Sequence, residues 1–451
     1  MSPSFLPVLA QDGHGDYLPA LGWVAPFVLM LLSIAVLPLV APKWWHSNLN
    51  RLKVALVCGL PVFGLFAWHG EWLVIQHTVH EYVSFLLLLT SLYVASGGIV
   101  LRGDLRATPL VNASFLLIGA LLASFMGTTG AAMLLVRPLL KTNSERQFRT
   151  HTVVFFIFLV CNIGGCLTPL GDPPLFLGYL RGVPFTWTFG LILPWAFTNG
   201  LLLLVYLALD SWFWRREDPS HRLHDRVEVQ PLRVAGARNF LWLGLVVVSV
   251  AFLTPTNLAG WLGAELHGFL PVYGRDLALA GITLGAYRTT QKELRLANSF
   301  TWHPILEVAA LFFGIFLSMM AAIQLLRHHG PDLGVDSPTL FFWATGILSA
   351  FLDNAPTYVV FFETAASVEP PAGHEVVQVL GGTISHAYLV AISLGAVFLG
   401  AMTYIGNAPN FMVKAISEER NVKMPSFFGY MVYSCIILLP VFFLASLIFL
   451  S

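Results

Sequence analysis

The chain has 451 residues, of which 57% are hydrophobic and only 11% are charged. A chain of this length and composition is too apolar for a water-soluble globule, so it is predicted to be a polytopic protein surrounded by membrane lipid. Its 24 basic and 24 acidic residues balance, and no basic stretch is interleaved with aromatic residues. This pattern argues against a nucleic-acid partner.

Apolar runs follow one another along the chain, and most are long enough to cross about 30 Å of hydrocarbon. Two further apolar stretches, 110–136 and 338–366, are expected to enter the membrane and return to the same side. The prediction is an all-α polytopic membrane protein with about ten spans and two re-entrant hairpins. The expected spans lie near 22–40, 52–68, 82–100, 152–180, 188–209, 240–254, 272–287, 305–326, 386–402 and 426–450.

Lysine and arginine residues mark the expected cytoplasmic loops, because short positively charged loops are retained on that side. The longest polar segment, 210–239, is predicted to be a cytoplasmic linker between a first half, 1–209, and a second half, 240–451. Both termini are then expected outside, in a protein of the inner cell membrane. In the second half the basic residues that mark inner loops are Arg288, Lys292, Arg295, Lys414, Arg420 and Lys423.

The two halves repeat each other in sequence. A shift of 226 residues places Gly127 on Asp353, and a shift of 235 residues places Asp172 on Asn407. According to the distribution of basic residues, the matching spans cross the membrane in opposite directions. This arrangement is an inverted-topology repeat, in which one hairpin enters from each side.

In each half, glycine, proline and oxygen-bearing side chains interrupt the apolar segments. Such breaks leave backbone groups unpaired, which is tolerated only where protein, a cavity or a solute satisfies them, so paired breaks predict one central binding site. The residues expected to break the helices are Gly127, Gly130, Gly164, Gly165, Gly171, Pro173, Pro356, Gly406 and Pro409. The side chains expected to bind a cation or a substrate are Thr128, Thr129, Asn162, Thr168, Asn354, Thr357, Thr403, Asn407 and Asn410.

Asp172 and Asp353 are the strongest candidates for ion exchange, since an ionised carboxylate near the bilayer centre costs about 2.5–3.5 kcal/mol. A carboxylate that either a proton or a cation neutralises can exchange one for the other. Because carboxylate and amide oxygens bind hard cations, a sodium site is predicted at Asp172, Asp353, Asn354 and Asn407. The alternative is that each acid only caps the half-helix that follows it. No cofactor is expected besides the transported Na⁺ and H⁺.

Several other polar residues have structural explanations. Glu81 and Glu307 match in the repeat at the starts of spans, where a solvated or ion-paired glutamate is expected. His151 opens a span and is expected to make a structural hydrogen bond. Glu363 and Arg137 follow the hairpin tips and are expected at the membrane surfaces.

The motifs at 162–173 and 351–356 resemble those of the ion transporter superfamily. This group includes NhaD-type sodium/proton antiporters, arsenite permeases, and citrate and dicarboxylate carriers. The resemblance covers nearly the whole chain. It implies two inverted five-helix repeats, each with a re-entrant hairpin and a discontinuous helix. It also implies a transport domain that moves like an elevator past a scaffold domain, and a homodimer.

The hairpin tips differ from those of the dicarboxylate branch, where both tips carry Ser-Asn-Thr. Here they read Gly-Thr-Thr-Gly at 127–130 and Asp-Asn-Ala-Pro-Thr at 353–357, and no basic residue occurs within 163–180 or 330–404. The preferred interpretation is therefore an antiporter of sodium, or lithium, against protons. The alternatives are a cation-coupled citrate or dicarboxylate transporter and, from another class, an intramembrane enzyme. No nucleophile–base pair supports an enzyme, so the chain is predicted not to be one.

Overall fold

The computed structural model describes residues 17–221, 229–266, 268–371 and 373–450. Within these ranges the chain is mostly helical and contains two short two-stranded sheets. The expected outside location of the N-terminus concerns residues 1–16, which lie outside the described residues. The same is true of residues 222–228 in the predicted linker.

The first half consists of helices with short 3₁₀ segments at Leu21–Val24, Ile163–Leu167 and Phe185–Leu191. Its helices are α1 (Ala25–Val40), α2 (Pro42–Trp45), α3 (Asn48–Trp68), α4 (Trp72–Ser96), α5 (Pro109–Met126), α6 (Thr128–Thr142), α7 (Thr150–Leu159), α8 (Pro173–Leu180) and α9 (Ile192–Arg216).

The second half has 3₁₀ segments at Gly330–Leu333 and Gly400–Met402. Its helices are α10 (Arg238–Phe252), α11 (Pro255–Leu262), α12 (Phe269–Thr289), α13 (Lys292–Ala297), α14 (His303–His329), α15 (Pro338–Phe351), α16 (Asn354–Ser367), α17 (His386–Leu399), α18 (Ala408–Glu419) and α19 (Phe427–Phe449).

Among the described residues, eight helical segments are long and apolar enough to cross a membrane, or nine if α10 and α11, bent by 82°, form one span. The prediction of an all-α polytopic membrane protein is confirmed. The expected number of spans differs because α12 carries Arg275 and Asp276 and because α17 has only 14 residues. In addition, α5, predicted as one arm of a hairpin, is itself long enough to span.

Each predicted hairpin corresponds to two helices that pack against each other across a very short break. Gly127 alone joins α5 to α6, and Leu352 and Asp353 join α15 to α16. The φ of Gly127 is +79°, a backbone conformation that glycine adopts without steric strain. The entry of both hairpins into a membrane stays a prediction.

The second half repeats the order of elements in the first. Helices α4 to α9 correspond one by one to α14 to α19, and the 3₁₀ segments Ile163–Leu167 and Gly400–Met402 occupy matching places. The sequence repeat is thus also a repeat of secondary structure. The opposite orientation of the two halves stays a prediction from the basic residues.

The predicted linker at 210–239 begins within a helix. Helix α9 continues to Arg216, and Asp210 is fully buried in it, while α10 begins at Arg238. Only the middle of the predicted linker therefore lies between helices. The basic and acidic residues that suggested an exposed segment include a buried acid of α9, which the composition alone does not distinguish.

Two short two-stranded sheets lie outside the main helices, which an all-α prediction does not include. Strand β1 (Val100–Asp104) pairs antiparallel with β2 (Gln230–Ala235), with Val100 opposite Ala235. Strands β3 (Val376–Val379) and β4 (Gly382–Ser385) form a hairpin, with Val376 opposite Ser385.

The two halves also dock onto each other through backbone hydrogen bonds. In the turn between β3 and β4, the N–H of Leu380 donates to the carbonyl oxygen of Arg181 at 2.8 Å. At another site, the hydroxyl of Thr150 donates to the carbonyl oxygen of Lys423 at 3.0 Å. A loop of each half is therefore fixed to an element of the other.

Helix α4 lies between the early helices and the broken helices. It contacts α8 and α14, and α14 in turn packs against α1, α3 and α16. Aromatic rings fill this contact: the ring centroid of Phe85 lies 4.6 Å from that of Phe312 and 6.4 Å from that of Phe176. Buried aromatic contacts of this kind help to hold α8 and α14 to α4.

Candidate functional site

Asp172 lies where the hairpin tips and the broken segments meet, and only 1% of its surface is exposed. Its Oδ1 accepts hydrogen bonds from Thr128 Oγ1 at 3.0 Å and from Asn407 Nδ2 at 2.9 Å. Its Oδ2 accepts from Asn354 Nδ2 at 2.5 Å. The donors come from the first hairpin tip, the second broken segment and the second hairpin tip. One carboxylate thus joins three other elements from both halves.

Four helices begin around this carboxylate. Helix α6 begins at Thr128, α8 directly after Asp172, α16 at Asn354 and α18 directly after Asn407. A helix N-terminus carries a partial positive charge, so all four helices stabilise negative charge at this point. Among the described residues, the side chains that hydrogen-bond to Asp172 are neutral. Helix N-termini and neutral donors therefore surround the carboxylate, and no lysine or arginine side chain is among these donors.

Two threonines fix the shape of the broken segments. The hydroxyl of Thr168 donates to the carbonyl oxygen of Ser124, and that of Thr403 donates to the carbonyl oxygen of Ala350. Each hydroxyl also accepts from the backbone N–H two residues later at 3.1 Å. Both side chains were predicted to bind a solute, but here they satisfy backbone groups that the breaks leave without helical partners.

Close backbone approach explains two of the glycines. A Cβ added at Gly171 would overlap the carbonyl oxygen of Gly165, and one added at Gly406 would overlap that of Gly400. The N–H of Thr128 donates to the carbonyl oxygen of Gly171 at 2.9 Å, which docks the first hairpin tip onto the first broken segment. Side chains at these glycines would separate the elements that surround Asp172.

The remaining predicted breakers lie beside the breaks. Pro173 and Pro409 stand in the first turns of α8 and α18, and Pro356 stands in the first turn of α16. A proline there loses no helical hydrogen bond, so these prolines start the helices that follow the breaks. Gly130 lies in the first turn of α6, and Gly164 lies in the 3₁₀ segment.

Asparagine side chains connect the two broken segments and leave two oxygens unpaired. Asn162 Nδ2 donates to Asn410 Oδ1 at 2.8 Å, and Asn410 Nδ2 donates to the carbonyl oxygens of Gly400 and Thr403 at 2.9 Å. The Oδ1 atoms of Asn162 and Asn354 are buried without a hydrogen-bond partner. A Cβ at Gly400 would lie 3.1 Å from Asn162 Oδ1 and 3.6 Å from Asn354 Nδ2. Unpaired amide oxygens near a carboxylate are suitable ligands for a hard cation.

Asp353 is oriented differently from Asp172. Its carboxylate accepts from the N–H of Ala355 at 3.1 Å and so caps α16, whereas Asp172 makes no such cap. The capping alternative therefore describes Asp353 and not Asp172. The half-buried Asp353 directly precedes Asn354, whose amide donates to Asp172 at 2.5 Å. Thr357 donates to the carbonyl oxygen of Asp353 at 2.9 Å, and Thr129 is half-buried beside Thr128.

The predicted sodium site is thus brought together in part. Asp172, Asn354 and Asn407 are in direct contact, while the carboxylate of Asp353 is engaged by its own helix. Asn162 was predicted to bind a cation or a substrate but was not among the four residues of the predicted sodium site. Its unpaired Oδ1 adds it to the candidate ligands of the cation.

The sequence did not predict a buried network of ion pairs around Arg181, at the end of α8. Arg181 donates from Nη2 to Glu81 at 3.0 Å and from Nε to Glu363 at 3.2 Å, and Arg327 donates to Glu363 at 3.0 Å. Glu363 is buried within the protein, at 4% exposure, and its expected location at a membrane surface stays a prediction. Opposite charges inside separate apolar segments were the signal, but sequence spacing does not indicate which of them pair.

Other charged residues behave as structural anchors. Glu307 pairs with Arg51 at 2.8 Å. His151 Nε2 makes the expected structural hydrogen bond, to Asp210 at 2.7 Å. Arg137 is half-buried, and its expected location at a membrane surface stays a prediction. None of these groups contacts Asp172 among the described residues.

Two hairpin tips and two broken helices that meet at a buried acid, within a polytopic helical protein, define a membrane transport protein. A protein-family model described as putative citrate transport matches residues 17–450. The chain therefore belongs to this family of transport proteins. The match does not reach the finer level of a sodium/proton antiporter branch. A comparison with curated proteins found no match.

Proposed function

We propose that the protein is a secondary transporter of citrate or a related carboxylate, coupled to a cation, in the inner cell membrane. The observation that carries this proposal is the meeting of four helix N-termini around Asp172. Helix N-termini stabilise carboxylates without a basic side chain, and broken transporter helices use them for anionic substrate groups. The family description supports the same class of substrate.

Asp172 provides the coupling in this mechanism. An unneutralised carboxylate repels a second carboxylate in a buried site, so the substrate enters only when a cation or a proton neutralises Asp172. The unpaired oxygens of Asn162 and Asn354 are the further ligands that we assign to the cation. Binding of the anion and binding of the cation thereby become mutually dependent.

Movement of the loaded site would take place along α4 and α14, against which α8 and α16 pack. This assignment follows the elevator mechanism, with a homodimer of the early helices as the fixed part. Arg181 and Glu363 on the moving side face Glu81 and Arg327 on the fixed side.

Uptake of labelled citrate and succinate into proteoliposomes tests the proposal, with a sodium gradient, a proton gradient or neither. Cation-dependent uptake by the native protein is expected, and Asp172→Asn should abolish its dependence on the cation. Asp332→Asn makes the same chemical change at an exposed position and serves as the matched control. Absence of uptake over a broad panel of carboxylates would rule out the proposal.

Sodium/proton antiport is the second candidate, because Asp172 contacts only neutral donors and Asp353 adds a second acid nearby. Such a site binds a cation without any anion. In everted vesicles with a preformed pH gradient, sodium or lithium should then dissipate the gradient without a carboxylate. Asp172→Asn and Asp353→Asn should both abolish this response, and an intact response in both variants would exclude the candidate.

A further inference from the structure

A basic pocket away from Asp172 lies between the end of α12 and the start of α14. It has a volume of about 660 Å³, and its lining includes Arg288, Lys292 and Arg295. No acidic side chain is among the described residues that line it. Three positive charges around one cavity point to an anionic ligand.

Arg295 is a buried hydrogen-bond donor in the wall of the pocket. It is 9% exposed, and its guanidinium lies over the ring of Tyr287 at 4.1 Å. Its Nη2 donates to the carbonyl oxygens of Ala286 at 3.1 Å and Tyr287 at 2.5 Å, which fixes the group in place. Its Nε, in contrast, is buried without a hydrogen-bond partner. A buried, unpaired guanidinium donor is costly unless a ligand accepts from it.

The loop that closes the pocket is held rigidly. Asn298 Nδ2 donates to the carbonyl oxygens of Gly97 at 3.1 Å and Ile99 at 2.6 Å, at the end of α4. The next residue, Ser299, has a φ of +52°. The pocket is therefore a fixed part of the fold and does not depend on a loose surface loop.

The surroundings of the pocket favour a lipid over a soluble anion. Tyr287 and Trp302 are 41% and 40% exposed, and Leu296 is 77% exposed. Exposed tyrosine and tryptophan are typical of the membrane–water interface, and the basic residues place this loop on the cytoplasmic side, where anionic lipids concentrate. Apolar side chains beside a basic pocket at that depth suit a phosphate group with acyl chains attached.

We infer that this pocket binds the phosphate of an anionic phospholipid headgroup from the cytoplasmic leaflet. The phosphate accepts from Arg295 Nε and is neutralised by Arg288 and Lys292, while the acyl chains lie along Leu296 and Trp302. The site is independent of the transported solute, because its residues belong to the loop between α12 and α14 and not to the broken helices.

Lipid binding to the purified full-length protein in detergent tests this inference, with phosphatidylglycerol, phosphatidylcholine and inorganic phosphate as probes. The test variant is Arg288→Gln/Lys292→Gln, whose side chains are exposed, so that the fold is preserved. Removing both charges should weaken phosphatidylglycerol binding by about 30-fold, or about fivefold for each charge. Arg420→Gln/Lys423→Gln removes two exposed charges from another predicted inner loop and should leave binding unchanged.

Three results would overturn the inference. The first is unchanged phosphatidylglycerol binding in Arg288→Gln/Lys292→Gln. The second is equal binding of phosphatidylcholine, which carries no net charge. The third is that inorganic phosphate alone raises the melting temperature of the native protein as much as phosphatidylglycerol does. That result would indicate a soluble anion as the ligand.

Discussion

The broken segments of the two halves have the same backbone arrangement and different charges. Thr168 and Thr403 make matching hydrogen bonds, and Gly171 and Gly406 make matching close approaches. Where the first segment then places Asp172, the second places Asn407. Both halves therefore share the architecture that brings helix N-termini together, but only the first half supplies the central negative charge.

This asymmetry places a carboxylate in the first broken segment and a neutral amide in the second. Asn407 donates to Asp172 at 2.9 Å, so the two matching residues hold each other as donor and acceptor. Two aspartates at these positions would repel each other unless one were protonated. The difference between the segments means that the second half supplies a hydrogen-bond donor, Asn407, to the carboxylate of the first half.

Exchanging Asp172 and Asn407 is expected to have the largest effect. Asp172→Asn should abolish cation affinity, and with it the dependence of uptake on the cation, because it removes the negative charge that the cation neutralises. The double variant Asp172→Asn/Asn407→Asp again has one carboxylate in the contacting pair, so it should recover part of the cation affinity. A double variant no better than the single one would contradict the view that the pair acts as a unit.

Arg181 extends the comparison to the helices that follow the breaks, since the repeat places it on Ile416. Arg181→Gln should destabilise the protein by about 3–5 kcal/mol, because it leaves the buried Glu81 without its ionic partner and Glu363 with Arg327 alone. Ile416→Val should cost only about 0.5–1.5 kcal/mol. Thermal unfolding in detergent compares the two, and equal melting temperatures would contradict a stabilising role for the network.

Gly171→Ala and Gly406→Ala probe the shared backbone arrangement. Each should cost about 1–3 kcal/mol of stability, because the added methyl group overlaps a carbonyl oxygen. Gly200→Ala is the matched control, since nothing lies within 4 Å of its added Cβ. In the same unfolding assay the control should be neutral or slightly stabilising. Loss of stability in only one of the two test variants would mean that the segments are not equivalent.

Thr168→Val and Thr403→Val should have the smallest effects, and equal ones. Each removes a hydroxyl that donates to a backbone carbonyl oxygen, at a cost of about 0.5–1.5 kcal/mol. Thr90→Val is the control, because its hydroxyl donates within its own helix. If either variant abolished transport at full stability, its threonine would be a solute ligand after all.

The sequence was sufficient to predict the membrane class and the helix breaks, and it singled out Asp172, which the structure places where these elements meet. Proline, glycine and single acids are rare enough in apolar segments to identify such positions. The orientation of Asp353 was beyond the same reasoning, since a carboxylate before a half-helix can cap it or turn away from it. The roles of Thr168 and Thr403 were not predictable either, because their hydroxyls choose between backbone and solute only in three dimensions.

Long-range pairs were the other part that the sequence could not supply. Arg181 and Glu363 are 182 positions apart and each is surrounded by apolar residues, so no local pattern relates them. The linker boundary failed for a related reason. The charge of Asp210 indicated exposure, whereas burial beside Arg146 and His151 neutralises it within a helix.

Each half of the molecule is hydrogen-bonded to a loop of the other half, and this affects how the molecule can move. The β3–β4 turn of the second half is bonded to the end of α8, and Thr150 of the first half is bonded to the loop after α18. Neither half can therefore shift without carrying part of the other, and the unit that travels is a hybrid of both.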